Sequence, residues 1–180
     1  MVTGLSRKIL LRAFSILDQK LPDKIDLLIG GGAAMVIAYG ETEATYDVDG
    51  IPIKSVLSFE QLKPFMFKVA EELELPKDWI NPYFHSYTHV LPADYRNRIR
   101  EIFSGKELNC FVLGPEDLLI MKLMAGRQKD DRHVRRLLKI KGIKLDIIEG
   151  QLEKLKQRLI HGAEEALDRL DDFKNDLGIA

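Results

Sequence analysis

A single cysteine, Cys110, stands among the 180 residues, which excludes an intrachain disulfide and any cysteine cluster for zinc. Net charge is nearly absent, with 27 Lys and Arg against 28 Asp and Glu for a formal −1. That balance excludes a whole-protein attraction to nucleic acid or anionic membrane and leaves only local patches to serve such partners. No apolar run approaches the ~20 residues that cross a bilayer. A secretory leader is not read either, because Arg12 interrupts the short run Ile9, Leu10, Leu11. These absences give the expectation of a cytoplasmic protein with no membrane partner. Repeats, low-complexity tracts and flexible linkers are lacking as well.

What is present reads as globular. Apolar residues make up 46% and charged residues 31% of the chain, enough to bury a core and too apolar for disorder. Residues 6–20 carry Ile9, Leu10, Ala13, Phe14 and Leu17 at helical spacing. Ile25 to Ile29 is an apolar run suited to a buried strand, broken by Gly30-Gly31-Gly32, after which 33–39 reads as a helix. Residues 44–51 are expected as the next strand. Ser58 and Gln61 are spaced as a capping box for a helix over 58–73. Residues 76–92, with three prolines, read as loop with a short extended piece. A helix is expected over 93–103 and a strand over 107–113. Gly114-Pro115-Glu116-Asp117 is a strong helix start, with proline in the first turn and acids at the positive end of the dipole. Helices alone fill the remainder. The expected class is α/β (or α+β): a small mixed sheet flanked by helices, then a C-terminal helical tail.

Two segments could carry chemistry. On a strand Thr45, Asp47 and Asp49 would share one face, with Tyr46 and Val48 on the other. Two carboxylates at i and i+2 repel unless a cation lies between them. Hard divalent ions such as Mg²⁺ take such oxygens and complete their shell with water and substrate phosphates. The glycines after Ile29 supply the complement, since a strand that enters a glycine turn and then a helix lets backbone N–H groups approach a phosphate. The pattern is neither the Gly-x-Gly-x-x-Gly of a dinucleotide fold nor the Gly-Lys-Ser/Thr ending of a P-loop.

Gly31-Gly32 followed by Asp47-Val48-Asp49 resembles the signature of the nucleotidyltransferase superfamily. Three further segments, Trp79-Ile80-Asn81, Leu91 to Arg98 and Pro115 to Asp130, resemble the small prokaryotic group related to AbiEii-type nucleotidyltransferase toxins. The resemblance spans roughly residues 25–140. It implies residues 1–140 as a nucleotidyltransferase-like domain, with 141–180 a helical tail packed on the same domain. It also implies Mg²⁺- or Mn²⁺-dependent transfer of a nucleotide from NTP to an acceptor hydroxyl or amine. In that reading Asp47 and Asp49 ligate metal, while Gly31, Gly32 and Thr45 hold the nucleotide. Lys122 reaches the triphosphate, Arg98 and Arg127 face the nucleotide, and Asp130, after Arg127 and Lys129, matches the acid of a Lys-Asp pair in the closing helix and joins the nucleotide-binding set. The chain departs from the resembled pattern at Glu43, where an arginine is common two positions before the threonine. A third carboxylate is expected on a later strand, where Glu107 is the only acid over 107–113.

Between Lys122 and Lys144 nine basic residues stand against two acids, Asp130 and Asp131. That excess suits a triphosphate or an RNA backbone, or forms a solvated face balanced by the acidic tail. His85 and His89 are spaced to ligate a metal on a helix, but Pro82 and the aromatic loop around them argue against a helix there. Cys110 and Trp79 read as core. Two function classes stand: a transferase acting on tRNA or a small molecule, the tRNA form with an antitoxin protein as partner, and a catalytically inactive nucleotide-binding or protein-interaction module of the same fold, such as one half of a toxin-antitoxin pair.

Overall fold

The computed structural model describes residues 4–179. The chain folds as two compact units, one of Met1–Ser86 with Ile99–Leu113 and one of Tyr87–Arg98 with Gly114–Ala180.

The first unit is built on a five-stranded mixed sheet. In chain order its elements are α1 (Arg7–Lys20), β1 (Ile25–Ile29), α2 (Gly31–Ala38), β2 (Val48–Lys54), α3 (Phe59–Leu73), β3 (Ile80–Asn81), β4 (Arg100–Ser104) and β5 (Leu108–Val112). The strand order is β3-β2-β1-β5-β4. β1 runs antiparallel to β2 and parallel to β5, β2 is parallel to β3, and β4 and β5 form an antiparallel hairpin. Leu27, Leu28 and Ile29 are buried, as a central strand flanked on both edges requires. The expected capping box is present: the Ser58 hydroxyl accepts from Gln61 N, and the Gln61 side chain accepts from Ser58 N. Phe14 of α1 packs against Trp79 and Phe103, with ring centroids 6.3 and 6.1 Å apart. Trp79 is fully buried and donates its indole N–H to Met66 O; both it and Cys110 are core.

Two expectations are corrected. The helix read over 93–103 is a short 3-10 turn, Tyr95–Asn97, followed by strand β4. Ile99, Ile102 and Phe103 fall at helical spacing, and pairing with β5 across a bulge between Glu101 and Phe103 overrides it. The second strand begins at Val48 rather than residue 44. Val48 is buried while Tyr46 is 70% exposed, so the alternation does not extend back through Tyr46.

The second unit is helical: α4 (Pro115–Ala125), α5 (Asp131–Leu138), α6 (Leu145–Gln157) and α7 (Ala163–Leu177). α4 is buried from Pro115 to Leu123, with Pro115 in its first turn and Gly126 ending it at φ 62°. Among the described residues no helix is long and apolar enough to cross a membrane.

Candidate functional site

β1 delivers the chain into Gly30, whose N–H donates to Asp49 O at 2.9 Å. Gly31 then opens α2 at φ +58°, in the left-handed region where a side chain is strained. Space imposes the same choice. A Cβ on Gly31 would lie 2.0 Å from Asp49 Oδ2, and one on Gly32 would lie 2.8 Å from Thr45 Oγ1. The turn therefore lies directly against Asp49 and Thr45; Gly31 is required by conformation and by contact, Gly32 by contact alone. Thr45 is anchored in turn by a backbone bridge to Leu5, and its hydroxyl donates to Asp47 O at 3.1 Å. Four of the residues expected to meet a nucleotide or metal, Gly31, Gly32, Thr45 and Asp49, thus come together, and Asp47 joins them through the backbone two residues before Asp49.

The edge strand adds a residue whose role is not visible in the sequence. Asn81 of β3 stands opposite Asp49 in the parallel register. It is buried, and its amide donates to Asp47 Oδ2 at 3.0 Å while its carbonyl accepts from Tyr83 N at 3.1 Å. Asp47 itself is exposed and Asp49 half-buried. The signal that could have found Asn81 is an amide on a short strand after a buried Trp-Ile pair, which calls for a partner wherever it lies.

The Glu107 candidate for a third carboxylate lies elsewhere. Its carbonyl accepts from Ile25 N, at the start of β1, whereas Gly30 at the far end of β1 bonds Asp49. Five residues of strand separate the two ends, roughly 16 Å at ~3.3 Å per residue. Glu107 N instead donates to Asp18 Oδ1 at 2.7 Å, beside similar bonds from Lys106 and Leu108. Burial would raise the Asp18 carboxyl, but these three backbone donors outweigh it and hold it below its ordinary range.

Whether a divalent cation fits is decided by the donor set. Two hard carboxylates beside a glycine turn suit Mg²⁺ or Mn²⁺ held by one or two protein acids, water and substrate phosphates. A closed protein cage is not provided: among the described residues no group of three or more His, Cys, Asp and Glu side chains is placed to hold a metal ion. His85 and His89 fall in the 3-10 segment Tyr83–Val90, where residues four apart do not share a face.

The remaining candidates lie in the helical unit. Lys122 is 3% exposed, and its ammonium donates to Asp130 Oδ1 at 2.7 Å. Arg127 donates to Asp130 Oδ2 at 2.7 Å, and His133 Nδ1 lies 3.4 Å from Oδ1. Burial works to raise the Asp130 carboxyl, but the His133 hydrogen bond and the charges of Lys122 and Arg127 overcome it and hold the group far below its ordinary range. Arg98 grips the fully buried Asp117 with two nitrogens, at 2.9 and 2.8 Å, and Asp94 with a third contact at 2.8 Å. Hydrogen bonding to Asp117 keeps the Arg98 guanidinium charged against its desolvation. Burial raises the Asp117 carboxyl despite Arg98. The basic stretch is divided: Lys122 and Arg127 bind Asp130, Arg135 pairs with Asp176 at 2.9 Å, and Arg132, Arg135, Arg136 and Lys139 line one groove.

A family model described as nucleotidyltransferase of unknown function (DUF6036) matches residues 8–175. No curated protein and no solved structure matches the chain.

Proposed function

The chain belongs to this family of nucleotidyltransferases, and from that premise we propose that it moves a nucleotide from NTP to an acceptor hydroxyl or amine at Asp47 and Asp49, with Mg²⁺ or Mn²⁺. The single observation that carries this reading is the contact of the Gly31 backbone with the Asp49 carboxylate, which leaves no space for a Cβ. A phosphate bound by the N-terminus of α2 would meet the metal-binding acids at once. The cation, when bound, supplies charge neutralisation for the phosphates and polarises the attacking group. The chain's own part is to hold: Thr45 positions the Asp47 backbone, Asn81 orients the Asp47 carboxylate, and the first turn of α2 offers N–H groups. No step is assigned to Arg98, Lys122, Arg127 or Asp130, whose charges are engaged in ion pairs.

The groove of Arg132, Arg135, Arg136 and Lys139 supports a polyanionic acceptor such as tRNA over a small neutral one. A toxin-like enzyme with an antitoxin protein as partner follows from the tRNA form. Incorporation of labelled NMP into total tRNA separates it from a small-molecule enzyme. A second reading, a nucleotide-binding module without transfer, is favoured by Asn81, a neutral amide beside Asp47 where a further acid would strengthen metal binding.

The test is thermal melting with ATP, GTP, CTP and UTP plus Mg²⁺, against Asp49→Asn. Ligand at 100 times its dissociation constant adds ~2.7 kcal/mol, a shift of several degrees at ~2–4 °C per kcal/mol. The reading expects a metal-dependent shift that Asp49→Asn abolishes. No shift with any nucleotide at millimolar concentration rejects it, and a shift without transfer selects the second reading.

A further inference from the structure

We propose that a groove adjoining the carboxylate site binds the base of the donor nucleotide; this deepens the reading above and rests on it. The groove has a volume of about 250 Å³ and is lined by Phe59, Phe67 and Tyr83, with Lys63, Lys77 and Asn81. That is just under the ~300–1,000 Å³ of drug-sized sites, a volume for one planar ring system. Its location is set by Asn81, which lines the groove and also donates to Asp47 Oδ2 at 3.0 Å. The groove thus begins one hydrogen bond from the Asp47 carboxylate, beside the place proposed for the phosphates, and the base is the next part of the nucleotide beyond its ribose.

The lining suits a base. Tyr83 is 74% exposed and Phe67 37% exposed, large aromatic surfaces left to solvent on the walls of one groove. Every nucleobase has a π-face that stacks on such rings. Tyr83 is not loosely placed, since its N–H donates to the Asn81 carbonyl at 3.1 Å. Lys77 lies over the Phe67 ring at 5.9 Å, while Lys63 is ion-paired with Glu60 at 2.7 Å. Lys77 and Asp78 add one donor and one acceptor to the groove wall for the polar edge of a base. Apolar walls with a few polar groups at the edge are how small planar ligands are oriented.

The test is calorimetric titration, with Mg²⁺, of the full chain and of Tyr83→Ala, Tyr83→Phe and Phe67→Ala, using each NTP and inorganic tripolyphosphate as probes. Wild type should bind at least one NTP more tightly than tripolyphosphate. Tyr83→Ala and Phe67→Ala should each weaken that NTP roughly tenfold, as loss of a stacking partner does, and leave tripolyphosphate unchanged. Tyr83→Phe, which keeps the ring, should bind like wild type. Exposure of both side chains makes the variants safe for folding, and melting curves verify it. Equal affinity of wild type for NTP and tripolyphosphate, or NTP affinity unchanged in both alanine variants, overturns the groove and leaves the carboxylate site standing. Failure of both probes to bind wild type overturns both. An apolar peptide or second copy as occupant is revealed by alanine variants that alter self-association while NTP affinity stays fixed, and that too overturns the proposal.

Discussion

In the helical unit Asp130 is 3% exposed and meets Lys122, Arg127 and His133, while in the sheet unit the exposed Asp47 carboxylate meets the neutral amide of Asn81. The first arrangement compensates a buried charge with charges from the same chain. The second orients a carboxylate without neutralising it, beside Asp49 two residues on. An acid matched inside the protein stabilises the fold and has little left for a ligand. An acid merely oriented keeps its capacity for an added cation. Sequence patterns rank both Asp130 and Asp47 as site residues; their surroundings separate them.

The comparison is broken most severely at Asp130. Replacing it by alanine leaves Lys122 buried without its carboxylate, a loss of about 3–5 kcal/mol, or roughly 6–20 °C in Tm. Acidification fixes the sign. A carboxyl held below its unfolded pKa contributes stability that is present above that unfolded value, ~3.9, and is lost as pH falls through the folded pKa. Denaturation midpoints of wild type and Asp130→Ala should therefore differ fully at pH 7, begin to converge only as pH falls through about 4, and meet only well below it. A variant as stable as wild type at pH 7 would show that the cluster is not structural.

Smaller in stability and larger in function is Gly31→Ala. The αL conformation costs a non-glycine residue about 1–3 kcal/mol at most such sites, and the new methyl must displace Asp49 Oδ2 from 2.0 Å. Chemical denaturation should show that loss, and melting with Mg²⁺ and nucleotide should show no shift. A surviving shift would mean that the glycine turn is a packing device and the phosphate lies elsewhere.

How legible this was depends on how local each cause is. The strand at Ile25–Ile29, the capping box at Ser58 and the helix start at Pro115 are written within a few residues, and each is found where the pattern puts it. β4 was not legible because Ile102 and Phe103 take their strand conformation from β5, beyond the turn at Gly105. Asp18 shows the same limit from the other side. Nothing in its neighbours on α1 marks it, yet it accepts three backbone N–H groups some 88–90 residues away. Gly31 and Asp49 could be paired as motif members, but the missing space for a Cβ is a property of the turn in three dimensions. Asn81 stands out in the sequence only as part of a resembling segment, because an amide carries no charge pattern that would set it beside two acids.

Asn81→Asp sharpens the comparison with the smallest expected change in the metal-free protein. It removes an amide-to-carboxylate hydrogen bond, worth about 0.5–1.5 kcal/mol net, and sets a like charge against Asp47, so Tm without metal should fall by a few degrees. The sign should reverse when Mn²⁺ is added. A third carboxylate turns an oriented pair into a denser oxygen donor set, and hard cations respond to ligand charge. Manganese titration followed by melting should give a larger shift for Asn81→Asp than for wild type, and the shift should vanish in Asn81→Asp/Asp49→Asn. That outcome would show that the sheet unit lacks only charge, and that asparagine at 81 sets how tightly the pair holds a cation. An Mn²⁺ response no larger than that of wild type would mean that residue 81 cannot face a cation held by Asp47 and Asp49. Its role would then be confined to orienting Asp47, as the hydrogen bond at 3.0 Å already does.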